Sequence, residues 1–178
     1  MKKSILAPIL AIVVMAAILL GLNKGFAEKD AALNDQELSI MLHNLLPRSV
    51  EFVEEPYTGE DANIQTVYKA ENGYVIETLV YGYADNIRML VGVSNKGNVT
   101  GLVVRELNET PGLGGNALFD VDFLAQFLNT SGEAEVGNTV DGMTGATVTS
   151  KAVTRSVNSA VAFVTGADVA SSATSWGG

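Results

Sequence analysis

Ten consecutive residues, Asp141-Gly142-Met143-Thr144-Gly145-Ala146-Thr147-Val148-Thr149-Ser150, concentrate the chemistry of this 178-residue chain. Three threonines and a serine fall within seven positions, two glycines let the backbone come close to a ligand, and a helical pattern from Lys151 to Val164 follows at once. The N–H groups of a helix's first turn have no carbonyl partners, so a hydroxyl-rich turn that runs into a helix is a seat for a phosphate. Thr147, at that junction, can hydrogen-bond a phosphate or be esterified to one. Without a ligand the same residues read as a glycine-bearing turn with a Thr/Ser cap, which accounts for Gly145, Thr149 and Ser150. A second stretch, Asn108-Glu109-Thr110-Pro111-Gly112-Leu113-Gly114-Gly115, ends an apolar run with a rigid proline and three glycines. Pro111 fixes φ, Gly112 accepts a positive φ, and Gly114-Gly115 clear the path of a flat ring.

The string Asp-Gly-x-Thr-Gly-Ala-Thr-x-Thr-Ser resembles the flavinylation motif of the FMN-binding domain family, and Glu-Thr-Pro-Gly-Leu-Gly is similar to what that family carries some thirty residues earlier. Its members include the G subunit of Rnf-type ion-translocating electron-transport complexes and the C subunit of the sodium-pumping NADH:quinone reductase. The resemblance implies FMN joined through its phosphate to the threonine ending Thr-Gly-Ala-Thr, here Thr147. It also implies a cofactor site of Glu109, Thr110, Gly112, Leu113 and Gly114 against the isoalloxazine, with Thr144, Gly145, Ala146, Thr149 and Ser150 around the attachment point. Many members carry a histidine at the start of the earlier motif; this chain has Leu107-Asn108, so no role of that histidine transfers. The function implied is an electron-transfer subunit of a membrane-bound Na⁺- or H⁺-translocating ferredoxin:NAD-type oxidoreductase, with the other subunits as partners and a separate flavin transferase for maturation. The alternative is a stand-alone exported flavoprotein serving extracellular electron transfer or an attached reductase. Neither needs a catalytic acid-base residue in this chain, because the cofactor carries the redox chemistry.

Composition removes other classes. Twenty acidic against 11 basic residues, a net charge of -9, and no basic cluster beyond the N-terminus argue against nucleic acid. The chain has no cysteine, hence no disulfide, thiolate nucleophile or iron-sulfur ligation, and the single His43 makes a histidine-based metal site improbable. After Lys2 and Lys3, residues 5–22 are uncharged and apolar, long enough to span a bilayer. Gly25-Phe26-Ala27 offers a competing signal-peptidase site. The expectation is a retained single-pass anchor with the lysines in the cytoplasm and the domain on the extracytoplasmic side.

The intervening pattern supplies the scaffold. Asn34 and Glu37 begin a helix carrying Leu38, Met41, Leu42 and Leu45 on one stripe and ending at Pro47, with His43 off the stripe as a solvated side chain. Residues 50–63 read as an irregular, solvated acidic run. Thr66–Tyr68, Tyr74–Tyr83, Ile87–Val93 and Val99–Glu106 read as four antiparallel strands, with Tyr68, Tyr74, Tyr81 and Tyr83 as sheet packing. A short helix over Phe119–Leu128 precedes the phosphate turn, and the final helix places Val153, Val157, Val161 and Val164 on one face with Gly166 as its cap. The fold expected is α+β, an N-terminal transmembrane helix and a single domain of antiparallel sheet packed by helices. The segments are 1–27 anchor, 28–63 linker and helix, 64–166 FMN-binding domain and 167–178 flexible tail.

Overall fold

Runs of β-branched and aromatic residues separated by Asn/Gly turns form one antiparallel meander in the order β1-β2-β3-β4-β5. The strands are β1 (Val53–Pro56), β2 (Ile64–Ala70), β3 (Gly73–Tyr81), β4 (Asn86–Ser94) and β5 (Val99–Leu107). The computed structural model describes residues 34–107, 120–132 and 134–167. Among these, no helix is long and apolar enough to cross a membrane; the apolar run 5–22 and the tail from 168 onward lie outside them. The chain divides into two compact units at Ile40/Met41, and the sheet belongs to the second.

The first helix, α1, covers 34–45, and its end and the turn after it bury Leu42, Leu45 and Leu46. Leu45 comes against Gly92 and Gly101, and its carbonyl accepts a bond from Thr100 Oγ1 at 2.6 Å. The end of the helix and the sheet are therefore tied on this face by packing and by a part-buried hydrogen bond. His43 is exposed and meets the Phe52 ring edge-on at 5.1 Å.

Helix α2 is Val121–Ala125, capped by the Asp120 carboxylate accepting from Phe123 N at 2.9 Å. Phe123 and Phe127 are buried and stack edge-to-face, whereas Leu128 is exposed. Helix α3, Thr147–Thr165, starts four residues before the Lys151 expected from the apolar pattern and ends at Gly166 in the left-handed conformation (φ 70°). It lies on β3 and β4, burying Val153, Val157 and Val161 against Ile76, Val80, Met89 and Val91. Each such valine contributes about 1.5–3 kcal/mol by leaving water.

Two expectations need correction. The segment 50–63 is not irregular throughout: Val53–Pro56 pairs antiparallel with Thr66–Lys69 as a fifth, edge strand. All four of its residues are exposed, so it lacks the inward apolar face that marks a strand in sequence, and its acidic pair and proline are the devices that keep an edge from pairing further. Tyr68 and Tyr74 do pack in the sheet, but Tyr81 and Tyr83 are 62% and 58% exposed where β3 leaves the sheet.

The face opposite α3 carries one buried charge. Glu77 lies between Arg105 at 3.1 Å and Arg88 at 3.4 Å, and Arg88 also reaches Glu106 at 3.3 Å. Nearby Tyr68 has its phenol pushed up to about 12, first by burial and then by Glu77 and Glu54. The folded state thus holds this proton more tightly than the unfolded chain, whose phenol titrates near 10. The contribution to stability is complete below pH 10 and lost as pH rises through about 12. Denaturant midpoints of Tyr68→Phe should accordingly fall less steeply than wild type across that window; parallel curves would disprove the assignment.

Candidate functional site

The site is built on the approach to α3. Ser156 on α3 bonds Thr78 of β3, Ser159 accepts from Asn63 Nδ2 at 3.1 Å, and Thr165 lies beside Gly97 in the β4–β5 turn. α3 therefore runs antiparallel to β3. Its N-terminus points to the sheet end where β3 finishes, β4 begins and β5 finishes at Leu107. From that end the chain continues toward Glu109, Thr110, Gly112, Leu113 and Gly114, which lie outside the described residues.

Three contacts shape the turn from Asp141 to Ala146. The Gln126 side chain, just after α2, accepts from Asp141 N at 2.8 Å and donates to Asp141 O at 3.3 Å. Gly142 sits close to Val136, where a Cβ would come within 2.8 Å of a valine methyl. Ser150 Oγ accepts from Met143 N at 3.0 Å and donates to Ala146 O at 2.9 Å. Gly145 then turns the chain at φ 77°, a conformation that disfavours any residue with a Cβ, although none of the described residues crowds the space beside it.

The N-cap of α3 is Ala146, which has no oxygen to offer the helix, and no side chain caps it. Ala146 N bonds Met143 O at 3.1 Å and Ser150 N closes the first helical bond at 2.9 Å. Among the described residues, the amides of Thr147, Val148 and Thr149 remain the open donors of the first turn. No acidic side chain lies in that turn to neutralise the helix's positive end. The Thr/Ser cap expected from sequence is thus not made by Thr149 or Ser150, both of which are helical and buried.

Thr147 is exposed at the first helical position, and Thr144 is exposed in the turn. Thr149 is buried and its Oγ1 has no hydrogen-bond partner among the described residues. A buried hydroxyl left unpaired costs about 1–3 kcal/mol, and such a group asks for an acceptor. An uncapped helix start, an exposed hydroxyl on it and an unpaired donor within the same turn are together a fit for a phosphate ester. Ser150 differs from its neighbours because both its proton and a lone pair are committed to the turn.

Sequence reasoning missed the groups that hold this turn and the segment before it from a distance. Gln126 lies 15 residues before Asp141, and Asn158 of α3 makes a matching reciprocal pair with the backbone of Ala134 (3.0 and 2.9 Å). Neither carries a local signal, since a lone amide in a helical pattern reads as solvated surface.

Residues 82–162 match the FMN-binding domain, a span that takes in β4, β5, α2 and most of α3 with the turn before it. Among curated proteins, the chain is 41% identical over 110 residues to the G subunit of the proton-translocating ferredoxin:NAD(+) oxidoreductase complex of Clostridium ljungdahlii, covering 55% of this chain and 59% of that one. It is 36% identical over 100 residues to the G subunit of the Na(+)-translocating counterpart of Acetobacterium woodii, covering 50% and 47%. It is 32% identical over 139 residues to the G subunit of the ion-translocating oxidoreductase complex of Methanosarcina acetivorans, covering 69% and 72%. The match thus spans about half of the length of the first two relatives. Taken together, these likenesses establish that the chain belongs to the FMN-binding domain family.

Proposed function

We propose that this chain is the FMN-carrying electron-transfer subunit of a membrane-bound, ion-translocating ferredoxin:NAD-type oxidoreductase complex, with the cofactor esterified through its phosphate to Thr147. The observation that carries the reading is the exposed Thr147 residue on an uncapped helix start, with an unpaired, buried Thr149 hydroxyl two residues on in the same turn. Three backbone donors and one hydroxyl donor can surround a phosphate there, and the helix's positive end favours its charge. Bound FMN supplies the redox chemistry. The residues of the chain hold it, orient it and keep it from dissociating, which matters for a domain outside the cytoplasm where a lost cofactor is diluted away.

Attachment is a group transfer from a flavin adenine dinucleotide donor, carried out by a separate transferase. Thr147 Oγ1 forms the bond to the phosphorus on the flavin side, the pyrophosphate P–O bond breaks, AMP leaves with the bridging oxygen, and the hydroxyl proton passes to the transferase. Glu109, Thr110, Gly112, Leu113 and Gly114 contact the isoalloxazine in this reading, supported by β5 ending at the same sheet end as the start of α3. The other subunits of the complex are the electron partners, and the coupling ion is Na⁺ or H⁺, since the relatives' names divide between the two. The direct test is intact mass after co-expression with a flavin transferase: wild type should gain one FMN, and Thr147→Ala should not.

The same reading places residues 5–22 as a single-pass anchor with the domain on the extracytoplasmic side, supported by 18 successive uncharged residues after Lys2 and Lys3. The protein is expected to stay with membranes after a carbonate wash and to retain its N-terminal segment. A mature N-terminus at Glu28 would overturn the anchor while leaving the export intact.

A further inference from the structure

We propose that Gln126 is a positioning residue for the modification of Thr147, acting as a clamp that holds the Asp141–Ala146 turn in the form the flavin transferase takes up. The inference rests on the flavin-attachment reading above. Its observation is separate: the Gln126 carboxamide makes both possible bonds to one residue's backbone, accepting from Asp141 N at 2.8 Å and donating to Asp141 O at 3.3 Å. This reciprocal pair does for the turn what a neighbouring strand does for a sheet edge, fixing position and orientation together.

Asp141 needs such a partner. Its neighbours in the chain are held on either side, Val140 by burial and a bridge to Val136, and Met143 by Ser150 Oγ at 3.0 Å. Asp141 itself is exposed. With the clamp released, residues 141–142 keep, among the described residues, the packing of Gly142 beside Val136 and Ser150, and the turn that leads to Thr147 gains conformations other than the one the transferase takes up. Gln126 is anchored independently of the turn: its own N–H bonds Phe123 O at 3.3 Å, and adjacent Phe127 is fully buried. The amide is therefore presented by the core and not by the segment it restrains.

The consequence for the transfer reaction is specific. If only a fraction of molecules hold the competent turn, the apparent affinity for the transferase falls by that fraction, while the rate at saturation is unchanged. Two exposed bonds lost to water correspond to roughly a fivefold change. The decisive variant is Gln126→Met, which keeps the length and volume of the side chain and removes both bonds. Initial rates of FMN transfer from flavin adenine dinucleotide should show KM for this protein raised roughly fivefold with kcat retained. Gln126→Glu keeps the acceptor for Asp141 N but sets an oxygen against Asp141 O, so it should not restore the wild-type KM. Amide exchange on the protein without flavin gives a second readout, with Asp141 N–H exchanging faster in Gln126→Met while α3 core amides keep their protection. A Gln126→Met protein labelled with wild-type KM and showing wild-type exchange at Asp141 overturns the clamp. A fall in kcat with KM unchanged, tracking a lower melting temperature, would make Gln126 a packing residue and also overturn it. Wild-type protein that takes up no flavin removes the attachment reading itself, a failure distinguishable from either of these.

Discussion

Thr147→Ala is expected to abolish covalent flavin altogether while leaving a folded domain. In the proposed reading the hydroxyl oxygen forms the ester bond, so its removal is an all-or-none change and not a weakening. The fold should not notice: Thr147 is exposed at the first position of α3, and alanine is the better helix former by up to about 0.7 kcal/mol. Denaturing gels viewed under ultraviolet light, with intact mass on the same samples, would show fluorescence and one FMN on wild type and neither on the variant. Thr147→Ser retains a hydroxyl on the same carbon but loses the methyl that restricts its rotamers, so partial labelling is expected. The sharpest rival acceptor is Thr144, also exposed and only three residues away. Flavin still attached to Thr147→Ala, and mapped by peptide mass to Thr144, would move the ester to the turn and sink the assignment to the helix start.

How far the sequence discloses this architecture depends on whether the signal is local. β3, β4 and β5 follow the runs Tyr74–Tyr83, Ile87–Val93 and Val99–Glu106 to within a few residues, because buried strands must be β-branched or aromatic and their turns need Asn and Gly. Val153, Val157 and Val161 likewise announce the buried face of α3. The start of α3 is less legible. Thr147 to Ser150 have modest helix propensity and read as turn, yet they are helical because Gly145 reverses the chain and the first turn is fixed by Ser150 bonding back to Met143 and Ala146. β1 leaves even less trace: Glu54, Glu55 and Pro56 form a strand only because Thr66–Tyr68 lie beside them.

At the site itself, the sequence points to the residue proposed for modification but not to its supports. Thr147 and Gly145 can be picked out because their types sit in one short string. Which hydroxyl is free and which is used cannot, since Thr149 and Ser150 are adjacent, equally polar and both buried. Only the three-dimensional arrangement separates an unpaired Thr149 Oγ1 from a Ser150 Oγ bonded twice. The Gln126 clamp belongs to the same class of information, being a contact between segments that no spacing rule connects.

That difference between neighbouring hydroxyls yields an expectation with opposite signs for stability and for function. Thr149→Val replaces the buried Oγ1 by a methyl of the same shape, keeps the branched carbon, and removes a donor that has no partner. The protein without flavin should become more stable by about 1–2 kcal/mol, the penalty of an unsatisfied buried hydroxyl. Attachment should move the other way. A hydroxyl donating to a charged phosphate oxygen is worth more than an ordinary hydrogen bond, so losing it should slow flavin transfer on the order of tenfold. Denaturant unfolding of the unmodified proteins and initial rates of labelling, measured on one preparation of each, separate the two effects. Ser150→Ala is the contrast: it strips Met143 N–H of its acceptor and should destabilise the unmodified protein and slow labelling together. If Thr149→Val is less stable than wild type, the hydroxyl has a structural partner and is not held for a ligand. If it is more stable yet labelled at the wild-type rate, the phosphate is seated by the amides of Thr147, Val148 and Thr149 alone.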